Sequence, residues 1–302
     1  MRTAFIEQLI VAARSNPRIF LVVGDLGYSV VEPFAAEFPD RYLNAGVAEQ
    51  NMTGLAAGLA AEGFHVFTYS IGNFPTLRCF EQIRNDVCYH KLPVTIVAVG
   101  AGVSYGNLGY SHHCVQDIAC LRTLPGLSIL SPADPGETRH CVEWLSKNPC
   151  PSYLRLGKAG EPRIHDLAPD LQTPLKVRNQ RASAAIVATG SILCEAVAAS
   201  DQLAEQGIAV DVFSLTRLSP LTSRSLVDLS GYQQILTVEE HVSAGGVGEM
   251  CKSLLPRSID VRNLSVSDEL TSLVGSQSWL RAQAGLDACG IVAAVKALVA
   301  GA

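Results

Sequence analysis

The chain has 302 residues, 48% hydrophobic and 17% charged, with a mean hydropathy of +0.23. Such a composition suits a large buried core and two domains, and it is too apolar for a disordered chain. Its longest apolar runs are of strand length, so no membrane span is predicted. A net charge of −5 with 6% aromatics argues against nucleic acid or acidic lipid as partners. The nine cysteines show neither a C-x-x-C pair nor zinc spacing, which predicts free thiols in a reducing compartment. Glu7 and Gln8 interrupt the first apolar stretch, so no secretory leader is read and a cytoplasmic location is expected.

Phe5, Ile6, Leu9, Ile10 and Ala13 share one helical stripe and predict an amphipathic first helix. Strands are predicted at Ile19–Val23, His65–Tyr69, Val94–Val99, Ser128–Leu130 and Ser152–Leu156. Helical patterns lie between them at 46–62, 73–90, 114–124 and 134–147. Strands that are apolar on both faces and spaced by helices imply a mostly parallel sheet covered on both sides. Lys158–Ala182, with its prolines and charges, then reads as a linker. The alternation restarts with a strand at Ala184–Ala188, a helix at 191–206 and a strand at Ile208–Phe213. A helix near 219–229, a strand at Gln234–Val238 and helices at 246–255 and 286–299 complete it. The expected fold is α/β, with two doubly wound domains of mostly parallel sheet at 1–165 and 183–302, joined by a linker at 166–182.

The most informative stretch is Asn44–Gly63, NAGVAEQNMTGLAAGLAAEG. It looks helical, yet Gly54, Ala57, Gly58 and Ala61 recur along one face. Two glycines in a helix interior cost about 1 kcal/mol each relative to alanine. Close approach of another backbone along the small-residue stripe would offset that cost. Glu49 opens the helix. On spacing alone it is either a first-turn carboxylate favoured by the helix dipole or a functional acid.

NAGVAEQNMTGLAAGLAAEG is followed by EQIRNDVCYHKLP (Glu81–Pro93), GYSHHCVQDIACLRTLPGLSILSPADPGET (Gly109–Thr138), TVEEH (Thr237–His241) and GGVG (Gly245–Gly248). In that order and spacing they resemble the C-terminal half of transketolase, in the form where the enzyme is split into two polypeptides. The resemblance covers essentially the whole chain and implies a thiamine-diphosphate pyrimidine-binding domain followed by a transketolase C-terminal-like domain. It implies that Glu49 matches the glutamate that hydrogen-bonds the aminopyrimidine of thiamine diphosphate, acid–base work relayed through the cofactor. Phe74 matches the aromatic that stacks on that ring, and Ile71 and Arg78 complete the implied cofactor-binding group. Arg2, Ser29 and Arg155 match positions that hold a substrate phosphate, for which a guanidinium fork and a hydroxyl are suited. His112 matches a catalytic histidine near the substrate's reacting hydroxyls. His113 joins the substrate group, and Gln116 and Asp117 support it. Taken singly, Phe74 reads equally as core, Arg2 as a solvated terminus, Ser29 as a turn residue and Arg155 as a strand-end charge.

Departures from the family pattern add expectations. The GDG motif and following Asn that bind the diphosphate and Mg²⁺ are absent, and Gly24-Asp25-Leu26 is only a partial echo. The chain is therefore expected to hold no metal itself and to be inactive alone. An N-terminal transketolase-type subunit would supply the diphosphate and Mg²⁺ contacts, in a heterotetramer with helix 46–62 near the twofold axis. Gly100 stands where the family has a histidine, and Asn107-Leu108 where it has an acidic pair. These losses point to a specialised acceptor, less hydroxylated or carrier-bound, for a two-carbon ketol transfer. The competing readings are the β subunit of a 2-oxoacid dehydrogenase and a non-catalytic paralogue. A further rival is 1-deoxyxylulose-phosphate synthase, which is expected to match less well because it is normally one long chain. Glu239, Glu240 and His241, ahead of Gly245-Gly246, read as an ion-binding turn or as a strand-end polar cluster at a subunit contact, without catalysis.

Overall fold

A computed structural model describes residues 1–300. The strands are β1 (Ile19–Val23), β2 (Tyr42–Asn44), β3 (His65–Ile71), β4 (Val94–Val99), β5 (Ser128–Leu130), β6 (Ser152–Leu156), β7 (Leu175–Arg178), β8 (Ala184–Thr189), β9 (Asp211–Ser214), β10 (Arg217–Ser219), β11 (Gln234–Val242) and β12 (Asp260–Val266). The helices are α1 (Arg2–Ser15), α2 (Glu32–Glu37), α3 (Glu49–Ala61), α4 (Phe80–Gln82), α5 (Asp117–Leu121), α6 (Pro135–Lys147), α7 (Leu193–Glu205), α8 (Val247–Leu254), α9 (Gln277–Gln283) and α10 (Ala288–Ala300). Two sheets result, ordered β10-β5-β6-β4-β3-β1-β2 and β12-β11-β8-β9-β7. All pairings are parallel except β10 with β5 and β7 with β9, which are antiparallel. The α/β class and mostly parallel sheets are as expected.

Buried runs such as Val94–Val99 explain the layering, because a strand apolar on both faces must be covered twice. One face of the first sheet packs Phe67, Tyr69 and Leu154 against Phe5 and Leu9 of α1 and Cys141 and Leu145 of α6. The other face joins Met52 and Ala56 of α3 to a core that continues through Phe213 and Ile235 to Met250 of the second domain. The sheets therefore share an apolar interior.

Three expectations need correction. The stretch read as a linker contains β7, an edge strand on β9. No helix forms at 219–229. Thr222 and Ser225 hydrogen-bond each other and the local backbone there, leaving only a short turn of helix at Val227–Leu229. The segment 73–90 begins as turns, followed by α4 and one π-type stretch at Ile83–Cys88. The glycine stripe of α3 is open within this chain, since a Cβ at Gly54 or Gly58 would touch nothing within 4 Å. By length and composition Gln277–Ala300 is apolar enough to cross a membrane. It is two helices with a break between them, and α10 seats Ile291, Val295 and Leu298 in the second core.

Candidate active site

The site lies beyond the C-terminal ends of the central strands β1, β3 and β4, where parallel α/β sheets open to ligands. Asn44, ending β2, accepts from the N–H groups of Asp25 (3.1 Å) and Gly46 (2.9 Å) and donates to Asp25 Oδ1 at 2.8 Å. This knot fixes the entry to α3 and so places Glu49, its first residue. Glu49 is 2% exposed, and its Oε2 lies 2.7 Å from Nη1 of Arg78, whose side chain is 47% exposed. Arg78 also stacks over the Phe74 ring, with Cζ 4.7 Å from the centroid. The half-buried Phe74 ring meets His112 edge-on at 5.3 Å. Glu49, Arg78, Phe74 and His112 therefore form one contiguous group, as the sequence had suggested only by separate motifs. Ile71 ends β3, and its carbonyl accepts from the Phe74 N–H at 2.9 Å, shaping the turn that carries the ring.

Residues that sequence reasoning did not single out hold this group. Asn73 donates to the carbonyls of His113 (2.8 Å) and Ser111 (3.4 Å), tying the His112 loop to the Phe74 turn. Gln50 donates to the Arg78 carbonyl at 3.1 Å. The His112 loop is closed at its neck by paired backbone bonds between Gly102 and Cys114. Its base rests on the second domain, where Gln277 donates to Ser104 Oγ at 3.2 Å. The tip exposes Leu108 and Tyr110. Gly100 has φ +93°, and a Cβ there would lie 2.3 Å from the Tyr105 ring. The space a larger residue would use at position 100 is thus filled by Tyr105. Nothing in the sequence marks Asn73 or Gln50, since a turn asparagine and an exposed glutamine are ordinary by type.

The expected phosphate group divides. Arg2 opens α1, is half-buried with a buried, unpartnered Nε, and its charge opposes the upward push of burial on the Tyr69 and Tyr105 phenols. Ser29 is exposed in the loop after β1, with φ +63°, and its N–H donates to Glu32 Oε1 at 2.8 Å. Gly27 of the same loop sits over the Tyr69 ring, so Arg2 and the Ser29 loop flank one phenol. Arg155 departs from the expectation. It is 2% exposed and pairs with Asp117, Nε to Oδ2 at 2.7 Å, while Nη2 donates to the carbonyls of Cys114 (2.7 Å) and Glu240 (3.1 Å). Nε and Nη2 are therefore committed to the domain junction and the loop neck, where Arg155 positions the loop. Burial would raise the Asp117 carboxyl, but Arg155 and His241 hold it below the usual range. His113 is fully buried under the loop, and burial lowers its pKa.

The Glu239–His241 cluster faces inward. Glu239 accepts from Val247 N (2.7 Å) and Gly248 N (3.0 Å) at the start of α8, and burial pushes its pKa up to about 7. Glu240 accepts from Arg281 through both oxygens at 3.0 Å. His241 accepts from Ala119 N at 3.3 Å. Of the cluster's side chains His241 reaches α5 of the first domain, whereas the Glu239 and Glu240 carboxylates are held by donors of the second domain.

Residues 1–160 match the family described as transketolase, pyrimidine binding domain, and residues 175–291 match transketolase, C-terminal domain. An apulose-4-phosphate transketolase subunit of Actinobacillus succinogenes is 32% identical over 95% of this chain and 94% of its own length. The solved structure of a split gene transketolase, an inactive beta4 tetramer, superposes with a TM-score of 0.86 at 32% identity, covering 99% of this chain and 97% of that one. 1-Deoxy-D-xylulose-5-phosphate synthase 1 of Geobacter sulfurreducens is also 32% identical over 98% of this chain, which spans 47% of that protein. That relative is as near by identity as the transketolase subunit, but the chain corresponds to only about half of it, as expected of a single long chain. The chain belongs to the transketolase family, as a subunit corresponding to the C-terminal half of the single-chain enzymes.

Proposed function

We propose that this chain is one subunit of a two-chain, thiamine-diphosphate-dependent enzyme. It would move a two-carbon ketol unit from a ketose or ketose phosphate to an aldehyde acceptor that is less hydroxylated or carrier-bound. The observation that carries the reading is the buried Glu49 carboxylate at the head of α3, in one contiguous group with Phe74 and His112. Thiamine diphosphate, when bound, supplies the carbanion-stabilising chemistry. Glu49 and Phe74 fit its aminopyrimidine, the carboxyl as a hydrogen-bonding acid and the half-buried ring as an apolar wall. Glu49 Oε2 is the atom that holds or gives up the proton, and Arg78 guards it until its exposed side chain swings aside. His112 Nδ1 lies 2.9 Å from Ser111 Oγ, and Nε2 has no partner among the described residues. That nitrogen is suited to exchanging a proton with a substrate hydroxyl. Arg2, with its unpartnered Nε, and Ser29 support an anionic substrate group on that side.

Diphosphate and Mg²⁺ contacts are assigned to a partner subunit. Among the described residues no group of three His, Cys, Asp or Glu side chains is arranged to hold a metal ion. Self-association along the open glycine stripe of α3 would complete a heterotetramer. Leu108 and Tyr110 at the loop tip favour an acceptor with few hydroxyls.

The test begins with the native mass and composition of the chain purified from its own source. A companion of similar size is expected, with ketol transfer appearing only when both chains are present and no carbon dioxide released. Glu49→Ala should lower that rate by about 10²–10⁴-fold. Carbon dioxide release would indicate a 2-oxoacid dehydrogenase subunit. A homodimer with no companion and no affinity for thiamine diphosphate would indicate a non-catalytic paralogue.

A further inference from the structure

A second cavity, of about 410 Å³, opens at the junction of the two domains, between α6, the segment 171–173 and the turns after β10. Its wall carries Trp144, Gln172, Thr173, Arg217, Thr222 and Ser225, none of which belongs to the Glu49 group. Arg217, the first residue of β10, is half-buried, with Cζ 5.0 Å from the centre of the Trp144 ring. Its one hydrogen bond is a long one, Nε to the Ser219 carbonyl at 3.4 Å. Among the described residues no carboxylate lies within ion-pair distance of it, whereas the buried Arg155 and Arg281 are both paired with acids. The acids next in sequence to the wall residues Leu171 and Trp144 are engaged elsewhere. Asp170 accepts from Gln172 N at 3.0 Å, and Glu143 pairs with Lys147 at 2.6 Å. Burial lowers the Arg217 pKa, and only the nearby Cys150 thiol acts against it.

An unpaired guanidinium at a cavity wall is costly unless an anion completes it. The remaining wall narrows the choice. One guanidinium suffices for a carboxylate's two oxygens. The Thr173 hydroxyl is used on Asp170 at 3.5 Å and one hydroxyl proton of the Thr222–Ser225 pair is used between them, but the other proton of that pair and the Gln172 amide remain as further donors. A tetrahedral phosphate uses such a set better. The volume is that of a small-ligand pocket, and the Trp144 ring offers an apolar wall to an organic part.

We propose that this cavity binds a phosphate monoester of sugar size, the phosphate held by Arg217 and the organic part lying against Trp144. The inference stands independently of the reading of Glu49.

The test uses the full chain, alone and with its companion. The sequence has two tryptophans, so Trp279→Phe leaves Trp144 as the only emitter. Ribose 5-phosphate should change Trp144 emission saturably below about 10 mM, a modest affinity for a single-cation site. Inorganic phosphate should act more weakly, and ribose, acetate and sodium chloride at equal ionic strength should not act. Arg217→Gln should weaken binding about tenfold or more, and Arg217→Lys by less, since lysine keeps the charge without the fork. A thermal melt confirms that each variant is folded. Unchanged affinity in folded Arg217→Gln, or no saturable change in the parent, overturns the proposal. If Arg217→Gln does not fold, the lysine variant decides, and affinity equal to the parent's overturns it.

Discussion

Glu49, the first residue of α3, and Glu239, a β11 residue whose carboxylate caps the start of α8, are both buried, and their surroundings divide their roles. Glu49 has a half-exposed arginine on it, a partner that can leave. Glu239 has only backbone N–H groups and Asn263, which cannot. Because the folded pKa of Glu239 is about 7 against an ordinary 4.5, the native chain binds a proton there that the unfolded chain has lost. Its contribution to stability therefore falls as pH rises from 4.5 to about 7 and is level above that. The depressed histidines 65, 113 and 241 act in the opposite sense in the acid range, so the comparison must be made between variants. Relative to Glu239→Gln, the wild type should lose on the order of 2 kcal/mol across that window in urea unfolding. Parallel profiles would show that Glu239 does not titrate there.

At the scale of elements, the loop between Gly102 and Cys114 is placed by its fastenings, since it has little structure of its own. Asn73 spans from the Phe74 turn to two of its carbonyls. Asn73→Ala should cost about 1 kcal/mol of local stability. Hydrogen exchange in 103–113 should quicken severalfold while exchange in β3 and β4 stays unchanged, and catalytic turnover should fall with it. Uniform quickening across the domain would mean that Asn73 acts on global stability instead.

The legible parts of the sequence were those governed by periodicity. β1, β4, β5 and β6 fall where apolar runs lie between turn signals, and α6 falls within the helical pattern read at 134–147. Glu49, Phe74 and His112 were legible through resemblance, since their residue types alone permit bland roles. What stayed hidden depends on long-range partners. β7 and β10 are short antiparallel edge strands whose pairing is with distant residues. The burial of Arg155 depends on Asp117 and on a carbonyl of the other domain. A strand-end arginine looks the same in sequence whether it meets a phosphate or a buried aspartate.

Across the whole molecule, the domains are locked by buried charge as well as by apolar packing. Arg155 joins β6, α5, the loop neck and β11 through Asp117 and two carbonyls. Arg155→Met should cost about 3–5 kcal/mol by leaving Asp117 buried and unpaired. Adding Asp117→Leu should recover part of that loss, and urea unfolding of the two variants measures both. A single variant as stable as the wild type would mean that the junction is held by packing alone.

The exchange of β10 onto the first sheet also bears on how the chain is made. While residues beyond β6 are still being synthesised, the first domain can assemble every strand of its sheet except the one that covers β5. Between Leu130 and Arg217 the ribosome adds further chain for on the order of ten seconds at ordinary elongation rates. Throughout that interval an apolar strand edge stands open to any other nascent strand. The short length of β5, Ser128–Leu130, keeps the exposed template small until the second domain arrives to seal it.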